Sequence, residues 1–158
     1  MPYDTDLYFI VDDLTEVHGV ELVRQLALIG LDQVAGVFEG RAVQHLAGRG
    51  IPLATVAQVT AEALAPRVTS REAFVLDVRS AAEWTEGHIP SATHIPLGYL
   101  TDRIAEVPAD RPVVVQCQAG TRSAIAASVL QRAGHANVQN LAGGFDSWQG
   151  AGLPIERS

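Results

Sequence analysis

The sequence predicts an α/β fold: an open, mainly parallel five-stranded sheet with helices on both faces, preceded by a partial βαβ segment. Three observations predict it. From residue 56 onward short apolar runs alternate with helical ones, the order that builds a parallel sheet from strand–helix–strand units. The run "PVVVQC", Pro112 to Cys117, is apolar without the alternation of a half-exposed strand, as expected where helices cover both faces. Gly and Pro in "GRGIPLATVAQVT", residues 48 to 60, punctuate the pattern and divide the chain into residues 1–52 and 53–158.

In chain order, Phe9 to Gly40 reads as strand, helix, glycine stop and second strand, and it aligns with Val113 to Gly144 without a gap, Gly30 falling on Gly134. "GRGIP" then echoes "GAGLP" after a two-residue slip. Chance agreement is the alternative, because βαβ units recur widely. Beyond the break, strands are expected at Val56–Val59, Phe74–Val78, Thr93–Ile95, Val113–Gln116 and Val138–Leu141. Helices are expected near Thr60–Ala65, Tyr99–Glu106, Ser123–Ala133 and Phe145–Ala151. In the third of these, Ile125 and Val129, and Ala126, Leu130 and Ala133, recur at helical spacing; Ser123 stands where an N-cap belongs and Gly134 where a helix stops.

Composition narrows the function. A net charge of −7 with eleven scattered basic residues argues against a nucleic-acid partner. The absence of a long apolar window, and a start "MPYDTDLYF" without a basic or apolar leader, argue against a membrane span or signal peptide, so a cytoplasmic protein is expected. One cysteine, Cys117, excludes an internal disulfide, a CxxC zinc site and a dithiol cycle. If Cys117 is chemical, it acts alone.

Its position favours chemistry. Cys117 ends a buried strand, and "QAGTR" carries the chain into a helix N-terminus, the place where open α/β sheets bind ligands. The unpaired N–H groups of a first helical turn and of a Gly-permitted turn converge there and stabilise negative charge. Such surroundings lower a thiol pKa from about 8.5 into the range of roughly 3.5–7.5, and the Arg122 cation acts the same way. A lone cysteine after an apolar strand is ordinarily a small buried hydrophobe. Packing, however, does not require Gly120, Arg122 and Ser123 ahead of a helix. A cation at a helix N-terminus is also unfavourable without an anion nearby, so Arg122 predicts a bound anion.

Three motifs in order then carry a resemblance: "FVLDVRSAAEWTEGHIPSATHIPL" (Phe74–Leu97), "CQAGTRS" (Cys117–Ser123) and "VQNLAGGFDSWQGAGLP" (Val138–Pro154). Together residues 66 to 158 resemble a rhodanese domain of the sulfurtransferase family, with Ser91 in place of the family's usual Gly. The resemblance implies that thiolate Cys117 takes the outer sulfur of thiosulfate or a persulfide, becomes a persulfide, and passes the sulfur to a thiol or cyanide in a ping-pong reaction. It implies that Gln118, Ala119, Gly120, Thr121 and Ser123 form the cradling loop, and that Arg122 orients an anionic donor or stabilises the leaving group. Neither metal nor organic cofactor is needed. With no second cysteine, the acceptor comes from outside.

The remaining signature residues have expected roles. The resemblance implies that Asp77 ties loops together through hydrogen bonds, a structural role that fits the need of a buried carboxylate for a partner. Arg79 faces the same mouth and pairs with Glu83 or helps hold the donor. His88 is a hydrogen-bonded turn residue rather than a general base, because thiolate attack on sulfur requires none. Gly143 and Gly144 let their loop approach the active-site loop, and Trp148 belongs to the core.

Two other function classes use this scaffold. Phosphatases and arsenate reductases of the dual-specificity cell-cycle type resemble Cys-x5-Arg, whereas Cys117 and Arg122 are separated by four residues. A sulfur-carrier or interaction module without turnover of its own is the other class, and catalytically silent interaction modules generally lack the cysteine. The N-terminal segment resembles the second half of an inert rhodanese module with Asp13 at the place of Cys117, as in metallo-β-lactamase–rhodanese fusions, although no His-x-His-x-Asp-His cluster is present. Its apolar positions, Phe9, Ile10, Val11, Leu22, Leu26 and Ile29, need a cover. A homodimer through this segment is expected to supply it.

Overall fold

The computed structural model describes residues 6–12, 16–28, 30, 31 and 33–157. The chain forms two compact units, Met1–Ala54 and Thr55–Ser158. In the first, strands β1 (Leu7–Val11) and β2 (Val34–Glu39) pair in parallel across helix α1 (Glu16–Leu28), and helix α2 (Arg41–Gly48) follows. A left-handed glycine closes the turn after each helix: Gly30 at φ +81° donates to the Ala27 carbonyl at 3.1 Å, and Gly50 at φ +72° to that of Ala47 at 3.0 Å. Asp13, expected in the place of Cys117, and Ile29 lie outside the described residues.

The second unit runs β3 (Ala57–Val59), α3 (Ala61–Thr69), β4 (Phe74–Asp77), α4 (Ala81–Glu86), β5 (Thr93–His94), β6 (Val113–Gln116), α5 (Thr121–Arg132), β7 (Val138–Leu141) and α6 (Gly144–Gly150). Its five strands form one parallel sheet in the order β3-β7-β6-β4-β5. Central β6 pairs with β4 from Phe74↔Val113 to Asp77↔Gln116 and with β7 from Val113↔Val138 to Val115↔Asn140. The chain goes outward from β4 to β5, then returns to β6 and moves the other way to β7. The switch point therefore falls between β4 and β6, and the crevice beyond their carboxyl ends is where such sheets bind ligands.

Alternate residues of β6 supply two cores. Val113, Val115 and Cys117 pack with Ala126, Ala127 and Leu130 of α5, while Val114 packs with Leu64 and Val68 of α3 and Phe145 and Trp148 of α6. All four β6 residues are buried, which explains why the sequence shows no alternation there.

Several boundaries differ from expectation. Helix α3 continues past Pro66 to Thr69, because a proline there deletes a single helical donor while Leu64 and Val68 keep the apolar stripe in the core. The stretch Tyr99–Glu106 forms two short 3-10 turns, Leu97–Tyr99 and Ile104–Glu106, instead of a helix. Helix α5 starts at Thr121 with Gly120 as its N-cap at φ +101°, so Ser123 sits in the third helical position and is not the cap. Helix α4 was not anticipated; it begins with a capping box in which Ser80 and Glu83 satisfy each other's N–H groups. Ser91 occupies the left-handed region at φ +61°, where its Cβ carries a cost that glycine avoids. Among the described residues no helix is long and apolar enough to cross a membrane.

Candidate active site

The loop between β6 and α5 curls around the Cys117 sulfur, and the side chain is only 1% exposed. The backbone N–H of Gly120 donates to Sγ at 3.2 Å and the Ser123 hydroxyl at 3.3 Å. That hydroxyl also lies 3.0 Å from the Gly120 carbonyl, and having one hydrogen it serves one acceptor at a time. Burial pushes the Cys117 thiol up; the Ser123 hydroxyl and the N–H groups of Ser123, Gly120 and Ala119 pull it down further, leaving it below the ordinary cysteine value. The loop therefore stabilises a thiolate by hydrogen bonds rather than by exposure to water.

Helix α6 holds this loop from outside. The N–H groups of Phe145 and Asp146 donate to the Cys117 and Gln118 carbonyls at 2.8 and 3.0 Å. Gly144, at φ +58°, makes that approach feasible: a Cβ there would lie 2.2 Å from the Cys117 carbonyl oxygen. Gly143, at φ +69°, would place a Cβ 2.9 Å from that of Ser147. Thr121 opens α5 on the surface, and Ala119 is exposed at the loop tip.

The charged residues pair differently from expectation. Arg79 does not meet Glu83. Buried at 1% exposure, it binds both Asp77 oxygens, with Nη2 at 2.7 Å from Oδ2 and Nε at 3.1 Å from each oxygen, and it donates to the Gly87 carbonyl at 2.7 Å and to Gln118 Oε1 at 3.2 Å. Its guanidinium also lies over the Phe145 ring, 4.1 Å from the centroid. With these donors occupied, Arg79 fastens β4 to the active-site loop and is not free to hold a donor. Asp77 lies two residues away on the end of the same strand, so the pair closes locally and each buried side chain has its partner.

Arg122 instead takes Glu83. Its Nη1 and Nη2 reach Oε2 and Oε1 at 2.8 and 2.5 Å, so the anion beside Arg122 is this carboxylate and not the bound anion expected from the sequence. Arg122 holds the Glu83 carboxyl well below the usual range, and Glu83 raises Arg122 while the charge of Cys117 adds to the same effect. Sequence reading missed a further residue at the mouth, Asp146, which accepts from the Gln118 amide. A long-range contact of this kind leaves no local signal, whereas Glu83 lies within the first of the three motifs. His88 lies in a turn, its Nδ1 3.1 Å from the Trp84 carbonyl and its ring stacked on Trp84, and none of its hydrogen bonds goes to Cys117.

The profile of the Rhodanese-like domain matches residues 60–151. The chain belongs to the rhodanese-like domain family. A sulfurtransferase of Allochromatium vinosum is 39% identical to the rhodanese domain over 101 residues, which cover 63% of this chain and 94% of that protein. The thiosulfate sulfurtransferase GlpE of Actinobacillus succinogenes is 32% identical over 99 residues, 63% of this chain and 89% of that one. Among solved structures, a rhodanese-related protein of Thermoplasma volcanium superposes with a TM-score of 0.61 at 29% identity, covering 65% of this chain and 99% of its own. These relatives place the rhodanese domain in the sulfurtransferase family.

Proposed function

We propose that the chain transfers sulfane sulfur from thiosulfate or a persulfide to a thiol or cyanide through a covalent persulfide on Cys117. The observation that carries this reading is the convergence of the Gly120 N–H and the Ser123 hydroxyl on Cys117 Sγ at 3.2 and 3.3 Å. In the first half-reaction the thiolate attacks the outer sulfur, a bond from Sγ to that sulfur forms, and the donor remnant leaves with the electron pair of the broken bond, as sulfite or as a thiolate. In the second, the acceptor attacks the outer sulfur and Cys117 departs as thiolate. The amides that stabilise the thiolate also stabilise the persulfide anion. The thiosulfate activity in the name of the Actinobacillus succinogenes relative supports the donor class.

The phosphatase alternative needs an arginine open to a tetrahedral oxyanion, and Arg122 is closed on Glu83. The test is intact mass after exposure to each donor: a gain of about 32 Da that a reducing thiol removes. The Cys117→Ser variant is expected to gain nothing. Persistence of that gain in the variant rules out Cys117 as the carrier, and aryl-phosphate hydrolysis abolished by the same substitution points to the oxyanion chemistry instead.

A further inference from the structure

We propose that Glu83 sets donor selectivity, closing the mouth over Cys117 to the thiosulfate dianion and favouring an alkyl persulfide; this rests on the sulfur-transfer reading above. The chain has no lysine, and both arginines of the site are engaged. Arg79 is buried on Asp77, and Arg122 is held at two points by Glu83. Glu83 is itself fixed by the start of α4, where its Oε2 accepts from the Ser80 N–H at 3.0 Å and the Ser80 hydroxyl at 2.7 Å. Asp146 adds a second carboxylate through Gln118. Outside the amide cradle, the charges of Arg122, Glu83 and Asp146 sum to one negative charge.

The cradle answers one negative charge, that of the sulfur in transit. Thiosulfate brings a sulfonate charge besides, and it meets a cation already neutralised and a second carboxylate. An alkyl persulfide reacts as R–S–SH, which brings no charge, and even its anion R–S–S⁻ brings only one. Cys117 thiolate attacks the outer sulfur of R–S–SH, the new bond forms from Sγ, the S–S bond of the donor breaks, and R–S⁻ leaves with the electron pair and takes a proton from water; no oxidant or reductant is consumed. Cysteine persulfide adds an α-ammonium and an α-carboxylate, which cancel, so its net negative charge stays below that of thiosulfate.

The experiment compares kcat/KM for thiosulfate and for cysteine persulfide, with cyanide as the common acceptor, in the wild type and in Glu83→Gln. Glutamine at this position keeps the capping box while removing the charge, and thermal unfolding checks that the variant is folded. The wild type is expected to favour the persulfide by about tenfold, and Glu83→Gln to move the ratio about tenfold toward thiosulfate. An unchanged ratio in the folded variant, or a wild-type preference for thiosulfate, overturns the proposal. A second reading needs no variant: added salt screens the mouth and lowers KM for thiosulfate, whereas a free cation binding thiosulfate makes KM rise with salt and overturns the proposal. If neither donor adds sulfur to Cys117, the sulfur-transfer reading itself fails.

Discussion

Ile10 and Val114 occupy matching places in the two units, yet Ile10 is 63% exposed and Val114 is fully buried. The local structure around them agrees closely. The turn after α1 is closed by Gly30 to Ala27 and Leu31 to Leu26, and the turn after α5 by Gly134 to Gln131 and His135 to Leu130. After the two-residue slip, Gly50 to Ala47 and Ile51 to Leu46 match Gly152 to Gln149 and Leu153 to Trp148. What differs is the neighbourhood. Strand β6 lies between β4 and β7 with α3 beneath it, whereas among the described residues β1 pairs with β2 alone. Leu46 is therefore 40% exposed where Trp148 is 1% exposed, and no residue of α2 is buried. Strands, helices and glycine stops follow from local sequence; burial depends on what the adjoining elements supply.

The sharpest way to break this comparison uses one matched pair. Gly144→Ala forces a Cβ into the Cys117 carbonyl, and we expect it to cost about 5 kcal/mol, the upper end for a single substitution, with loss of persulfide formation. Gly40→Ala, whose nearest neighbour to a Cβ is 4.0 Å away, should cost about 1 kcal/mol or less by chemical denaturation. Equal losses would show that the two glycines hold equivalent positions after all.

Next in size is Arg79→Met, which leaves Asp77 buried without its partner and is expected to cost about 3–5 kcal/mol in urea unfolding. A smaller loss would mean that water or another donor reaches Asp77 on removal of the guanidinium.

Ser123→Ala acts on chemistry more than on folding. It removes a hydrogen bond to the thiolate, so the pH at which sulfur loading is half-maximal should move upward, and loading at neutral pH should slow. The matching effect on stability has a definite sign. The Cys117 pKa is depressed in the folded chain, so its contribution is fully present above the unfolded value and is lost as pH falls through the folded one. The stability difference between wild type and Cys117→Ser should shrink across that window. An unchanged loading profile in Ser123→Ala would assign the stabilisation to the amides alone.

The smallest expected effect on catalysis comes from the N-terminal unit. In the dimer expected from the sequence, a second copy covers this face, and light scattering should show apparent mass rising with concentration. The pair Ile10→Glu and Leu46→Glu should abolish that rise while changing sulfur loading by less than about twofold, because every residue placed around Cys117 lies beyond Thr55. A strictly monomeric wild type rules out the dimer.

Much of the rhodanese domain was legible because its signals are local. The run Val113–Gln116, the glycine stop at Gly134 and the loop from Cys117 to Ser123 each depend on neighbours in sequence. The pairing of charges was not legible, since Asp77 stands two residues from Arg79 while Glu83 reaches across to Arg122 on another helix. Arg79 has a carboxylate two residues before it and Arg122 has none so near, and only the fold, which brings Glu83 of α4 to Arg122, decides which carboxylate each receives. Helix α4 left a readable mark in Ser80 and Glu83, but six residues without an apolar stripe give no periodicity. The extension of α3 past Pro66 was hidden for the opposite reason: a strong local breaker outweighed by Val68 in the core.

The near-complete burial of the chain's single thiol gives the protein a built-in count. A persulfide lengthens the side chain by one S–S bond, about 2 Å, so the terminal sulfur is the part of it offered to an incoming nucleophile. Under the proposed sulfur transfer, with no other cysteine to hold or scramble it, each folded chain should carry one labile sulfur atom or none. Cyanide-releasable sulfur per mole of protein then reads as the fraction of molecules loaded at Cys117, and a value above one signals sulfur held outside the cradle as a polysulfide chain.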